Sequence, residues 1–360
     1  LLLALYLVVF ALPVSATEIT QVTSPGGIKA WLVEEHSIPL IAVQIGFRGG
    51  AAMDPEGKAG LANLISGLLD EGAGDLDSAA FQQQLEDRAI RLSFSARMDR
   101  FSGSLMTLTE ERDEAFRLLG LALGSPRFDD APVDRIRKQI IVSLRHCAED
   151  PQRISSEAWY ERIFGDHPYG RPNEGTEASL SEVTTDDLRA FVQNRFAKDN
   201  LYVVVVGDID EASLGPLLDK TFGYLPASSA NAGDTLEASI HADGQVHVIE
   251  KDIPQSVVTF GHNGIKRDNP DWYAGYILNY ILGGGGFSSR LMNEVREKRG
   301  LAYSVGSYLY PYERAGLFQG HVATANARVG ESIDLIRAEI ARIREEGPTE
   351  EELAHAKTYI

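Results

Sequence analysis

Few residues of this 360-residue chain carry metal-binding or nucleophilic chemistry in a recognisable spacing. No two of the eight histidines stand three or four residues apart, the spacing that places two imidazoles on one helix face. They are His36, His146, His167, His241, His247, His262, His321 and His355. The single cysteine, Cys147, excludes an internal disulfide and a cysteine-based zinc cage, and we interpret it as a free thiol. No G-x-S-x-G nucleophile elbow is present.

Phosphate and nucleic acid are excluded as ligands by motif and by charge. The glycine run Gly283–Gly286 lacks the Lys-Ser/Thr that completes a phosphate-binding loop, so we interpret it as a closely packed turn. His167 precedes Pro168, and we interpret it as the cap of a turn. The 34 Lys and Arg residues against 52 Asp and Glu residues give a formal charge of −18. A negative field without a basic run repels phosphate backbones.

The elements that position any site form two copies of one pattern. Each copy is predicted to contain a strand, an Ile-Pro turn, a second strand, a glycine-rich exit and a helix. The copies cover residues 31–70 and 246–282, and each is followed by a strand pair (89–108 and 302–325) and a helix (110–123 and 329–346). Helices cluster instead of alternating with single strands. This predicts an α+β fold of two similar domains, each a largely antiparallel sheet with helices packed on one face.

The domain boundaries follow from composition. Residues 1–16, LLLALYLVVFALPVSA, have the apolar core and small-residue cleavage site of a secretory signal, and the absence of a basic start indicates an N-terminally truncated one. We predict a first domain over 19–230, a linker over 231–243 and a second domain over 244–360. The second domain is shorter, so we expect it to be truncated at its C-terminal end. The mature protein is expected to be exported, to the periplasm, without a membrane anchor.

Four motifs in order give the chain its resemblance to a known family. They are Gly49-Gly-Ala-Ala-Met-Asp-Pro-Glu-Gly-Lys-Ala-Gly-Leu-Ala62, His167-Pro-Tyr-Gly-Arg-Pro172, Leu201-Tyr-Val-Val-Val-Val-Gly-Asp208, and Leu282-Gly-Gly-Gly-Gly-Phe-Ser-Ser-Arg-Leu291 leading to Val295-Arg-Glu-Lys-Arg-Gly-Leu-Ala-Tyr303. Together they resemble the pitrilysin/insulinase-like zinc metallopeptidases. The resemblance implies a clam-shell of two similar domains around a cleft that binds peptides.

The family's zinc motif is degenerate in this chain. Its H-x-x-E-H residues fall on Asn63, Ser66 and Gly67, and its distal glutamate falls on Val142 or Ser143. At 100° per residue the first three share the helix face opposite Leu61, Leu64, Ile65, Leu68 and Leu69. An amide, a hydroxyl and a glycine do not form a zinc site, so we expect no metal in this chain.

A second functional element of the family is an Arg and a Tyr seven residues apart, here Arg296 and Tyr303. The resemblance implies that they bind peptide substrate and stabilise the oxyanion of the transition state. Residue type alone favours a surface arginine paired with Glu294 or Glu297 and a tyrosine buried in its strand.

Three functions remain open. The first is the non-zinc subunit of an exported two-chain metallopeptidase, a heterodimer whose homologous partner holds the zinc. The second is a peptide-binding or scaffold protein without catalysis, to which peptides add as a strand at a sheet edge. The third is an active zinc peptidase with an unrecognised ligand set.

Overall fold

The computed structural model describes residues 18–230 and 237–360 and confirms the predicted α+β class. The strands are β1 (Thr20–Thr23), β2 (Lys29–Glu34), β3 (Leu40–Arg48), β4 (Arg91–Ala96), β5 (Arg100–Leu108), β6 (Leu201–Gly207), β7 (Gln255–Asn263), β8 (Ala302–Pro311) and β9 (Gly316–Ala325). The helices are α1 (Leu61–Ser66), α2 (Ser78–Asp87), α3 (Arg112–Gly124), α4 (Asp130–Cys147), α5 (Pro151–Phe164), α6 (Glu177–Ser181), α7 (Thr185–Arg195), α8 (Glu211–Phe222), α9 (Trp272–Asn279), α10 (Val329–Glu346) and α11 (Glu350–Tyr359). The predicted signal peptide, and residues 231–236 of the predicted linker, lie outside the described residues.

The two sheets repeat one strand order. The first half forms a six-stranded sheet in the order β1-β2-β6-β3-β5-β4, antiparallel throughout except for the parallel pair β2 and β6. The second half forms a three-stranded antiparallel sheet in the order β7-β9-β8. This is the order of β3-β5-β4 in the first sheet. The repeat found in the sequence therefore has a structural counterpart.

Helices cover one face of the first sheet. Inward-facing residues such as Leu32, Val43 and Val205 are fully buried, and they belong to a core that includes apolar residues of α1, α3 and α8. Trp31 and Val204, which are paired in register on the opposite face, are 49% and 38% exposed. This alternation is the period-two pattern of a sheet packed on one side. No helix among the described residues combines the length and apolar character needed to span a membrane.

One predicted strand is absent. The sequence predicts a strand over 246–249 equivalent to β2, but the structure shows no strand there, and Val246, Val248 and Ile249 are each more than half exposed. In the first half, β2 lies between β1 and β6. The described second half offers residues 246–249 no such neighbours, and a strand without a ladder leaves its backbone groups unpaired.

The two halves are joined through their hairpin turns. The hydroxyl of Tyr169 donates to Asp99 Oδ1 in the β4–β5 turn and accepts from the backbone N–H of Arg314 in the β8–β9 turn (2.5 and 3.1 Å). Asp99 Oδ2 also accepts from the backbone N–H of Glu313 at 3.0 Å. A small apolar cluster containing Leu317 surrounds the buried Tyr169. These contacts hold the equivalent hairpins of the two sheets together.

Helix α5 adds a second contact between the halves. Its Ser155 lies 2.9 Å from Thr259 of β7, hydroxyl to hydroxyl, and its Tyr160 donates to Gln319 of β9 at 2.9 Å.

Removing the bridging hydroxyl tests the hairpin contact. We expect Tyr169→Phe to lower the free energy of unfolding by about 1–2 kcal/mol, because it leaves a backbone N–H and one carboxylate oxygen without their partner. Tyr359→Phe is the matched control, since Tyr359 is 75% exposed and its ring contact with Tyr280 does not need the hydroxyl. Urea denaturation of the two variants measures the difference, and equal stabilities would contradict the role assigned to Tyr169.

Candidate functional site

The degenerate zinc-motif residues lie at the end of a short helix. The sequence predicts a helix over 60–70, whereas α1 ends at Ser66 and Gly67 is its C-cap, with its N–H donating to Leu64 O at 3.2 Å. The predicted faces are correct: Leu61, Leu64, Ile65, Leu68 and Leu69 are all buried, and Asn63, Ser66 and Gly67 are partly exposed. A Cβ at Gly67 would lie 3.0 Å from Ile136 Cγ2. A glycine at this position therefore accommodates the close approach of α4.

The residues at these positions do not fit zinc. Ser66 Oγ donates to the backbone carbonyl of Asn63 at 2.8 Å, and Gly67 has no side chain. On α4, Val142 is 63% exposed and Ser143 is exposed, and neither carries a carboxylate. Across residues 18–230 and 237–360, no three His, Cys, Asp or Glu side chains form a group that could hold a metal ion. No step of a reaction is therefore assigned to a metal on this chain.

A buried ion pair positions α1. Asp54 accepts from the backbone N–H groups of Gly60 and Ala62 at 3.0 and 3.2 Å, and its carboxylate lies 3.7 Å from Arg195. Arg195 in turn donates to the backbone carbonyl of Gly50 at 3.0 Å. Burial raises the pKa of Asp54 to about 6, so the carboxylate is mostly ionised at neutral pH. Asp54 thereby links the first motif, residues 49–62, to α7.

Arg296 lies in a π-helical turn of the second half. Two such turns follow α9, π-turn 1 (Tyr280–Gly284) and π-turn 2 (Met292–Glu297), and both contain backbone bonds from residue i to residue i−5. The N–H of Gly285 donates to Tyr280 O at 2.8 Å, and the N–H of Lys298 donates to Asn293 O at 3.0 Å. Single π-turns are rare and are frequently found at functional sites.

Tyr303 is placed by a β-bulge. Ala302 pairs with Thr324 and Ser304 pairs with Ala323, so Tyr303 is an extra residue between two consecutive rungs of the ladder. Its side chain is 81% exposed, which rules out a tyrosine buried in its strand. Bulges re-aim side chains in this way and are over-represented beside active sites.

The guanidinium of Arg296 lies over two aromatic rings. Its Cζ lies 5.0 Å from the ring centroid of Tyr303 and 4.7 Å from that of Phe287. Among the described residues its charged partner is Glu297, with 3.5 Å between Nε and Oε1, and its side chain donates no hydrogen bond to another of them. Stacking therefore fixes the guanidinium while leaving its N–H donors available for an acceptor.

The glycine run is a tight turn, as predicted. A Cβ at Gly283 would lie 2.4 Å from Ser307 Oγ and 2.7 Å from Ser307 N, so no other residue permits this approach to β8. Ser288 Oγ and Ser289 Oγ donate to the backbone carbonyls of Gly285 and Gly286 at 2.8 and 2.7 Å. The turn that carries Phe287 is therefore fixed on both sides.

A bidentate ion pair anchors the residues after this turn. Arg290, only 8% exposed, donates from Nε and Nη2 to the two carboxylate oxygens of Glu352 at 2.6 Å each, and from Nη2 to Gly347 O at 3.0 Å. Glu352 also accepts from the backbone N–H of Thr349 at 2.8 Å, completing a capping box at the start of α11. The segment between the two π-turns is thus tied to the last two helices.

Comparisons with known proteins show which family the chain resembles. The family model described as the peptidase M16 inactive domain matches residues 182–360. The crystal structure of a peptidase M16 inactive domain from Pseudomonas fluorescens superposes with a TM-score of 0.86 at 29% identity, covering 95% of this chain and 83% of that chain. The chain is similar to the peptidase M16 inactive domain over 95% of its length.

Named relatives of this chain fall into two groups. The non-peptidase homolog YmxG of Helicobacter pylori is 29% identical over 328 residues, which are 91% of this chain and 75% of that relative. An uncharacterized zinc protease of Streptomyces coelicolor is 32% identical over 229 residues, 62% of this chain and 50% of that relative. These comparisons confirm the predicted resemblance to a zinc metallopeptidase family, and in particular to a member that lacks the zinc motif.

The structure gives roles to some residues for which the sequence predicted none, and it confirms the predicted roles of others. Phe287 belongs to the fourth motif, but the sequence predicted no role for it. The signal that could have indicated a role is an aromatic residue directly after four glycines. Asp54 and Arg195 are 141 residues apart, so their pairing was not visible in the sequence. His167 accepts from the backbone N–H of Tyr169 at 3.2 Å, which confirms the predicted turn cap. Cys147 is a partly buried free thiol, as predicted.

Proposed function

We propose that this chain is the non-zinc subunit of an exported two-chain metallopeptidase. A homologous partner subunit holds the zinc and the general base. This chain contributes cleft surface and the pair Arg296 and Tyr303, which bind the peptide and stabilise the oxyanion formed on its carbonyl. The exported location rests on the signal-like residues 1–16, and the mature chain is assigned to the periplasm.

The guanidinium of Arg296, which lies over two rings and donates no hydrogen bond to another described residue, is the observation that carries this proposal. An arginine that only stabilised the fold would be expected to donate to backbone carbonyls or carboxylates, as Arg195 and Arg290 do. Arg296 instead lies over two aromatic rings, with Glu297 3.5 Å from Nε as its charged partner among the described residues, and Tyr303 beside it exposes its hydroxyl. Two preorganised donors of this kind match the needs of a carbonyl that becomes an oxyanion. Asn63 and Gly67 at the positions of the zinc-binding histidines, and Ser66 at that of the general base, support the proposal that the partner holds the ion.

Reconstitution tests the proposal. The purified chain is mixed with an M16 homologue from the same genome that carries H-x-x-E-H, and cleavage of a quenched fluorescent peptide is followed with and without a chelator. We expect the mixture to cleave at least about tenfold faster than the homologue alone, because the two donors act only in the assembled site. We also expect this chain alone, after dialysis against chelator and then buffer, to retain no stoichiometric zinc. An unchanged rate in the mixture would contradict the two-chain assignment.

A peptide-binding protein without catalysis is the second candidate. The observation in its favour is the outer edge of β7, which has no strand partner among residues 237–360 because β7 pairs only with β9. An extended peptide can add to such an edge through main-chain hydrogen bonds. This candidate predicts peptide affinity that is independent of Arg296, so titrating a labelled peptide into the Arg296→Ala variant distinguishes the two functions.

A further inference from the structure

Phe287 is a large apolar side chain held out from the protein surface. It is 66% exposed, although burial of an aromatic side chain of this size would contribute substantially to stability. Its turn is held by hydrogen bonds, since Ser288 and Ser289, which follow Phe287, donate to the carbonyls of Gly285 and Gly286, which precede it. The chain therefore maintains an exposed ring in a fixed position, close to the exposed ring of Tyr303.

The position of this ring is defined by Arg296. The Cζ atom of Arg296 lies over the Phe287 ring, 4.7 Å from its centroid, and 5.0 Å from the centroid of the Tyr303 ring. The rest of the Phe287 side chain is exposed to solvent. When a peptide carbonyl accepts a hydrogen bond from the edge of the guanidinium, the peptide side chains next to that carbonyl lie beside the ring of Phe287 or that of Tyr303.

Charge favours a neutral side chain at this place. Glu297 already lies 3.5 Å from Nε of Arg296, so a carboxylate ligand would compete with an existing ion pair. The carboxylates of the whole chain outnumber its cationic side chains by 52 to 34, which further disfavours an acidic peptide. An apolar side chain instead removes its own surface and part of the Phe287 ring from water.

We propose that Phe287 is a specificity-determining residue that contacts a bulky apolar side chain of the peptide, next to the carbonyl bound by Arg296. This inference rests on the proposed function, because it takes Arg296 as the carbonyl-binding group. It adds a substrate class to that function: neutral peptides with a Leu- or Phe-sized side chain beside the scissile region. Phe287 touches the substrate and also orients Arg296, and the two roles give different results when the peptide is varied.

A cycle of protein and peptide changes tests the assignment. Two fluorescein-labelled Gly/Ser/Thr decapeptides, one with a single central Leu and one with Ala at that position, are titrated into the full chain and followed by anisotropy. We expect the wild-type chain to prefer the Leu peptide about tenfold, as burial of a few methylenes predicts. Phe287→Ala is expected to reduce this preference to less than about twofold, and Phe287→Tyr to retain it.

Controls separate the possible results. Phe287→Ala should keep the wild-type melting temperature because the side chain is mostly exposed. An equal loss of affinity for both peptides would overturn the specificity role and leave Phe287 as a positioning residue for Arg296. A wild-type chain that binds neither peptide, or does not distinguish them, would also overturn it. Arg296→Ala reports on the proposed function itself: unchanged affinity for both peptides contradicts the carbonyl-binding role, whatever the Phe287 variants show.

Discussion

Replacing Arg296 with alanine is expected to lower kcat of the reconstituted two-chain peptidase by about 100-fold, with a smaller change in KM. Removal of one preorganised oxyanion donor typically costs 10²–10³ in kcat, because the donor interacts most strongly with the charge that develops in the transition state. Steady-state kinetics with a quenched fluorescent peptide measures both constants. Tyr303→Phe tests the second donor in the same assay while keeping the ring that contacts Arg296.

Arg344→Ala is the matched control for this experiment. Arg344 is 76% exposed on α10 and pairs with the equally exposed Glu345, so its removal alters charge by the same amount without touching the stacked site. We expect kcat within a factor of about two of the wild-type value, because surface ion pairs contribute little. Equal losses for Arg296→Ala and Arg344→Ala would show that net charge, and not a positioned donor, affects the rate.

Arg290→Met is expected to destabilise the fold by about 3 kcal/mol. The substitution keeps the unbranched apolar stem of the side chain but leaves the Glu352 carboxylate without the two hydrogen bonds that Arg290 donates at 2.6 Å. Removing one partner of a largely buried ion pair typically costs 3–5 kcal/mol, and the partial exposure of Glu352 places this pair at the lower end. Urea denaturation at pH 7 gives the value, and a loss under about 1 kcal/mol would contradict the anchoring role.

The same pair predicts a pH dependence. The hydrogen bonds from Arg290 lower the pKa of Glu352 from 4.5 to about 2. A carboxyl group with a lowered pKa in the folded state contributes stability that is fully present above its ordinary value of 4.5 and is lost as the pH falls toward 2. The wild-type protein should therefore lose more stability than Arg290→Met between pH 5 and pH 3. Parallel stability curves for the two proteins would contradict the linkage.

Local pattern was enough to predict most of the fold. The strand pairs 89–108 and 302–325 appear as β4–β5 and β8–β9, and the helix predicted over 329–346 is α10. These elements are long and strongly periodic, and their partners lie close in sequence. The segment 246–249 shows the limit of this reasoning. Its alternation is that of a strand, but a strand also requires a neighbour, and the neighbours are set by topology and not by local pattern.

The candidate site was predictable in its residues and not in its geometry. Motif spacing selected Arg296 and Tyr303, and the helical wheel assigned Asn63, Ser66 and Gly67 to one face. The stacking of Phe287 on Arg296 depends on π-turn 1, π-turn 2 and the bulge at Tyr303, none of which has a periodic signature in the sequence. Contacts such as Asp54 with Arg195 join distant segments, so only the folded chain reveals them.

The two π-turns and the bulge share a consequence for how this surface can change. Each of the three contains one residue more than a regular helix or ladder would. Deleting one residue from any of them would therefore yield a more regular backbone. Such a deletion would also rotate every following side chain by about 100° in a helix, or reverse its facing in a strand. Selection for thermal robustness alone would therefore be expected to erase these irregularities. Their presence in residues 280–303 supports the proposed role of this segment in peptide recognition.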